Sequence, residues 1–87
     1  MGEMRILIPH GFNDPKRPDY KPGDVDLKWD SNKPDEVKKM REEFDYWTKD
    51  KKYLAFRVKK DGKPGEKMVS FDPDAELIHL QPMLAGG

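Results

Sequence analysis

One amphipathic helix, flanked on both sides by short strand-like segments, constrains the fold more than any other feature of this sequence. Four apolar residues recur at steps of three, four and three: Val37, Met40, Phe44 and Trp47. That spacing places them on one face of a helix. Candidate N-caps at 30–32, followed by Pro34, predict its start, and the lysines at 49–52 predict its end near 49–51. In a chain of 87 residues, this apolar face predicts a helix packed on one sheet.

Five short segments have the alternation or β-rich composition of strands. They are residues 4–8, 25–29, 53–58, 67–71 and 76–84. Asp-Gly and Pro-Gly pairs at 61–65 predict a hairpin between the third and fourth strands. The resulting order of strand, strand, helix and three strands predicts an α+β domain, with a mixed sheet of four to five strands packed on one helix. The predicted core is Ile6, Ile8, Val25, Leu27, Val37, Met40, Phe44, Trp47, Leu54, Phe56, Val69, Ile78 and Leu80.

The segment between the first two strands, residues 10–23, contains three prolines and two glycines. This composition predicts a long irregular loop. Connections of this length are uncommon unless they are functional or mobile. We interpret it as a solvated loop, with the Lys16-Arg17 pair as a weaker candidate contact point.

Composition limits the classes of function. Seventeen basic and seventeen acidic residues give a net charge of zero, so charge gives no support for binding nucleic acid or an anionic membrane. The absence of cysteine excludes disulfides and a thiolate nucleophile or ligand within this sequence. No apolar run has the length of a membrane span. We therefore expect a soluble, cytoplasmic monomer with one domain at 1–84 and a flexible tail at 85–87.

Residues able to carry catalysis or hold a metal are few. His10 and His79 have no evident third ligand, and a zinc site needs three or four. The acidic residues at 72–76 lack the glycine and the later glutamate of a calcium loop. No phosphate-binding glycine loop is present in a strand-to-helix context. We expect no metal, no bound cofactor and no enzymatic activity.

The C-terminal segment is the strongest functional signal. The predicted last strand, residues 76–84, is apolar and leads without a turn to Gly86-Gly87. Glycine has no Cβ, so a diglycine can lie extended in a narrow channel and bring its carboxylate to another protein's catalytic atoms. The alternative interpretation is an ordinary flexible end, since loops and chain ends favour glycine.

The segment from Ile78 to Gly87 resembles the end of ubiquitin. Ubiquitin has Leu-His-Leu where this chain has Ile78-His79-Leu80, then a further apolar and basic stretch and Gly-Gly. It is also similar to the small sulfur carriers of molybdopterin and thiamine biosynthesis, whose ends combine an acidic turn, a strand, a proline and Ala-Gly-Gly. Asp72-Pro73-Asp74 matches that acidic turn. The resemblance implies a ubiquitin-like β-grasp fold, in which the first and last strands lie parallel in the centre of the sheet.

The same resemblance implies a role as a protein modifier. An activating enzyme of the ubiquitin type would use ATP to adenylate the Gly87 carboxylate, with Gly86 in the channel. A downstream thiol enzyme would then transfer the chain to a target lysine, and a deconjugating protease is a further candidate partner. The residues expected to contact these partners are Leu7, Ala55, Leu77, His79, Gln81, Met83 and Ala85.

Two other functions stay open. A sulfur carrier would end in a thiocarboxylate and pass sulfur to an acceptor. A non-enzymatic interaction module is the third possibility, because some phage tail-assembly proteins contain a similar segment. Ubiquitin has arginines near the positions of Met83 and Ala85, so activation of this chain would require a dedicated cognate enzyme.

Overall fold

The computed structural model describes residues 1–59 and 65–83, in which one sheet of five strands packs against one helix. The elements are β1 (Gly2–Ile8), β2 (Gly23–Trp29), α1 (Pro34–Asp45), β3 (Leu54–Val58), β4 (Glu66–Met68) and β5 (Leu77–Gln81). A π-helical turn, Tyr46–Asp50, continues α1, so the helical segment ends where the lysines predict. The predicted α+β class is confirmed, and the architecture is compatible with a β-grasp.

The strand order is β2-β1-β5-β3-β4, with β1 and β5 adjacent near the middle of the sheet. These two strands are parallel, and Met4 lies opposite Ile78. The other neighbouring pairs are antiparallel. The expected parallel pairing of the first and last strands is confirmed. β5, which precedes the C-terminal segment, is therefore hydrogen-bonded to a neighbour on both sides.

The core lies between α1 and one face of the sheet. Its buried residues are Met4, Ile6, Ile8, Trp29, Phe44, Trp47, Tyr53, Ala55, Phe71, Ala75, Ile78 and Leu80. Aromatic rings connect its parts: the Trp47 and Tyr53 rings are 4.8 Å apart, and those of Trp29 and Phe71 are 5.2 Å apart. Burying a side chain of this size contributes about 1.5–3 kcal/mol. The predicted core residues Val25, Leu27, Val37 and Met40 are only partly buried and pack around this centre.

Gly2 permits the close packing of Trp29. A Cβ atom at Gly2 would lie 2.1 Å from Cζ2 of the Trp29 indole, well inside van der Waals contact. The indole Nε1 donates a hydrogen bond to the carbonyl oxygen of Pro73, at 3.0 Å. Trp29 therefore connects the start of β1 to the turn that precedes β5.

Three local predictions are wrong. Residue Lys33 precedes α1 without a side-chain capping bond, so residues 30–32 do not cap the helix. Val69 is 88% exposed because β4 ends at Met68, and the core position beyond it belongs to Phe71. The last strand ends at Gln81 rather than at 84, since Pro82 has no N–H to donate to a neighbouring strand.

Candidate functional site

The C-terminal segment leaves the sheet directly from β5. Gln81 is the last residue of this strand, and Met83 is 58% exposed two positions later. Ala85, Gly86 and Gly87 lie outside the described residues, as does the predicted tail at 85–87. Their roles in partner binding and activation stay predictions.

One face of the sheet is turned away from α1, and we call it the open face. The register identifies its members, because residues opposite each other on neighbouring strands share a face. On the three strands β1, β5 and β3, the open face carries Glu3, Arg5, Leu7, Leu77, His79, Gln81, Leu54, Phe56 and Val58. The expected outward positions of Leu7, Leu77, His79 and Gln81 are therefore confirmed, whereas their binding roles stay predictions.

Ala55 does not belong to this face, and its expected outward position is wrong. It is 2% exposed and lies opposite Leu80 on the side that packs against α1. Shifting the pattern of a strand by one residue exchanges its two faces. For the same reason Leu54 and Phe56, which the alternation predicts in the core, lie on the open face.

The open face therefore carries a half-buried apolar strip that the sequence pattern did not predict. Its members are Leu54, Phe56, Val58 and Leu77. His79 lies between Arg5 of β1 and Phe56 of β3. Its Nε2 atom is buried without a hydrogen-bond partner among the described residues. Contiguous apolar surface with a polar rim is typical of protein interaction sites.

Charged side chains border the apolar strip on the β1 side. The Arg5 guanidinium contacts Asp26 of β2 at 2.9 Å and Glu3 at 3.2 Å. Asp26 is the first cause of the raised Arg5 pKa, through its hydrogen bond. A shallow groove of about 160 Å³ lies beside these residues, between Leu7 and Gln81. The arrangement can bind a partner with an apolar centre.

The loop between β1 and β2, residues 9–22, is anchored to α1 rather than solvated throughout. The Glu43 carboxylate accepts hydrogen bonds from Arg17 at 2.8 and 3.0 Å, from the Tyr20 hydroxyl at 2.9 Å and from Trp47 Nε1 at 2.8 Å. The Tyr20 ring stacks on Trp47, with centroids 5.9 Å apart. Arg17, which the sequence suggested as a contact point, therefore already donates its hydrogen bonds to Glu43 within the domain.

Burial and hydrogen bonding have opposite effects on the pKa of Glu43. Burial raises it, but the bonds from Arg17, Trp47 and Tyr20 outweigh burial, and the net pKa is lowered. Burial, assisted by the bond to Glu43, raises the pKa of Tyr20 to about 12. At neutral pH the carboxylate is ionised and the phenol protonated, which is the state that these bonds require.

A second carboxylate, Asp14, holds the same loop against the π-helical turn. It accepts a hydrogen bond from the Tyr46 hydroxyl and lies 3.2 Å from Lys51 Nζ. Its side chain also accepts a bond from the backbone N–H of Lys16 at 2.9 Å. The Tyr46 bond is the first cause that lowers the pKa of Asp14 to about 2. Both carboxylates have structural roles, which explains their perturbed pKa values without catalysis.

Comparisons with protein families, with curated proteins and with solved structures found no match.

Among 1–59 and 65–83, no three histidine, aspartate or glutamate side chains lie close enough together to hold a metal ion. No helix in this part of the chain is both long and apolar enough to cross a membrane.

The acidic residue Asp72, a member of the predicted acidic turn, pairs with Arg57 and accepts a hydrogen bond from the Asp74 backbone N–H. This turn has a structural role.

Proposed function

We propose that this chain is a ubiquitin-like β-grasp protein modifier whose reactive group is the carboxylate of Gly87. The observation that carries the proposal is the parallel pairing of β1 with β5 near the centre of the sheet, with Pro82 directly after β5. In this arrangement the strand that leads to the tail is fixed on both sides. Gly87 is the reacting terminus in the proposal, whether it is encoded there or exposed by proteolysis.

The chemistry belongs to partner enzymes. The Gly87 carboxylate attacks the α-phosphorus of ATP and releases pyrophosphate, which leaves an acyl adenylate. A partner thiolate then attacks the acyl carbon, AMP leaves, and a thioester forms. Finally a lysine amine of the target displaces the thiol and forms an amide. ATP is used by the activating partner, and the domain itself serves as the recognised handle.

The open face supports this role because a modifier must dock on several proteins through its folded domain. The apolar strip of Leu54, Phe56, Val58 and Leu77 is the surface best suited to such contacts. Met83 lies at the root of the tail and remains accessible. Partner contacts by Leu7, His79, Gln81 and Ala85 belong to the same proposal.

The test is incubation of the purified chain with ATP and a lysate of its source, followed by intact-mass and peptide mass spectrometry. ATP-dependent adducts that join Gly87 to lysines would support the modifier. A mass gain equal to the replacement of one oxygen by sulfur would instead identify a sulfur carrier, formed when sulfide displaces AMP from the acyl adenylate. Unchanged mass, with no conjugates, would contradict both and leave an interaction module.

Two tail variants make the test specific. Deleting Gly87 shortens the reach of the tail by about 3.5 Å. Replacing Gly86 with valine adds a branched Cβ where a narrow channel would accept only bare backbone. Both variants should lose ATP–pyrophosphate exchange with the cognate enzyme, while their melting temperatures stay unchanged. Equal exchange by wild type and both variants would show that the tail is not the reactive group.

A further inference from the structure

A second surface, which shares Leu54 with the open face, lies where β4 ends beside the start of β3. A cleft of about 270 Å³ opens there, and we call it the edge cleft. Apolar side chains in its lining come from three segments: Leu54, Met68, Val69 and Met83. Val69 and Met83 are the most exposed of these. The cleft therefore presents apolar surface at the margin of the sheet and at the root of the tail.

The backbone beside this cleft is an open sheet edge. β4 is the last strand in the sheet order, so β3 pairs with it on one side. Across the described ranges, no strand pairs with its other side. Such an edge presents unpaired N–H and C=O groups that can add a strand from another protein.

The charge around the edge cleft is positive. Three lysines contribute to its lining: Lys49, Lys52 and Lys67. Lys49 lies 3.8 Å from Asp45 in an ion pair across one helical turn. In the part of the chain that the structure describes, Lys52 and Lys67 form no ion pair. A matching ligand must therefore carry negative charge on either side of an apolar side chain.

A second copy of this chain fits poorly. Pairing β4 with β4 would bring the lysines of two identical clefts together, and like charges across strands are destabilising. We infer that the edge cleft binds an extended acidic segment of a partner protein, which adds to β4 and places one apolar side chain in the cleft. Its carboxylates pair with Lys52 and Lys67. This inference does not depend on activation of the tail.

Binding at this position would also affect the tail. Met83 lines the edge cleft and stands four residues before Gly87. Four extended residues reach at most about 14 Å. A partner that holds the cleft therefore restricts the positions available to the Gly87 carboxylate.

The experiment measures binding of a synthetic nine-residue peptide to the ¹⁵N-labelled full chain by chemical-shift titration. The peptide alternates glutamate and valine around a central leucine, and both of its ends are blocked. A matched control peptide has lysine in place of every glutamate. We expect the amide chemical shifts of residues 52–55 and 66–69 to change in a saturable way with the acidic peptide only. The Gly87 deletion should bind it equally well, which separates this inference from the proposed function.

Two charge-reversed double variants make the assignment specific. Lys52→Glu with Lys67→Glu should weaken binding about tenfold, equivalent to about 1.4 kcal/mol. Lys28→Glu with Lys39→Glu makes the same change in net charge elsewhere on the surface, and its affinity should change by less than about twofold. Val69→Asp should weaken binding without lowering the melting temperature, since Val69 is exposed.

Three outcomes would overturn the inference. One is the absence of saturable binding of the acidic peptide. Another is equal weakening by the two double variants, which would indicate an effect of net charge alone. The third is that the shifts map to β2, or to Phe56, Val58 and Leu77 of the open face, instead of β4.

Discussion

Replacing Glu43 with alanine should destabilise the domain, because this carboxylate joins the loop at 9–22 to α1 and to the core. The change leaves the Trp47 indole N–H without an acceptor in a fully buried position, which costs about 1–3 kcal/mol. Arg17 and Tyr20 are partly exposed and can bond to water, so each loses about 0.5–1 kcal/mol. The expected decrease in the free energy of unfolding is therefore about 2–5 kcal/mol.

Urea denaturation at pH 7, followed by tryptophan fluorescence, measures this decrease. If the free energy of unfolding decreases by about 1 kcal/mol per molar urea, the urea concentration at the unfolding midpoint should fall by at least about 2 M. Glu43→Gln keeps an acceptor oxygen and should lose about half as much. The neighbouring exposed Glu42→Ala is the matched control and should change stability by less than about 0.5 kcal/mol. A loss below about 1 kcal/mol in Glu43→Ala would refute the anchoring role of this carboxylate.

Three further predictions concern the core and the loop. Phe44→Ala empties a fully buried site and should lower the free energy of unfolding by about 3–5 kcal/mol in urea; a loss below about 1 kcal/mol would contradict its burial. Gly2→Ala brings a Cβ against Trp29 and should cost about 1–3 kcal/mol by calorimetry, and an unchanged melting temperature would contradict this packing. The hydrogen bond from Tyr46 lowers the Asp14 pKa from 3.8 to about 2, so its stabilisation is complete above pH 4 and lost towards pH 2. Asp14→Asn should flatten the stability profile in that window; an unchanged profile would contradict this linkage.

The order of elements could be anticipated, because helical and strand periodicities differ clearly in this sequence. The parallel pairing of the end strands was implied only by the resemblance of the C-terminal segment to ubiquitin and the sulfur carriers. Which face of β3 packs against α1 could not be anticipated. Its residues Leu54, Phe56 and Val58 are the larger apolar set, so alternation alone places them in the core. The space beside Trp47 is filled by the Tyr53 ring instead. The next buried residue of the same strand segment is Ala55, whose side chain is small. The competition for space among aromatic rings is a tertiary effect that a strand pattern does not contain.

The loop at 9–22 illustrates a second limit. Its prolines and glycines correctly predict irregular backbone, but composition says nothing about long-range bonds. Glu43 appears in sequence as one of several charged residues on the polar side of α1. Its role depends on Arg17 and Tyr20, which lie more than twenty positions away. For the candidate site, the sequence predicted the strand that leads to the C-terminal segment, whereas the apolar strip and the edge cleft required the register.

The parallel pairing of β1 with β5 also affects how the chain can fold during synthesis. Nearly the whole sequence separates Glu3 from its partner Leu77, so the contact closes a very long loop. Until β5 has left the ribosome, β1 can pair only with β2, and its other edge stays open. Such a topology favours late, cooperative folding over stepwise folding of the nascent chain. The sheet is therefore complete only once β5 is available to pair with β1.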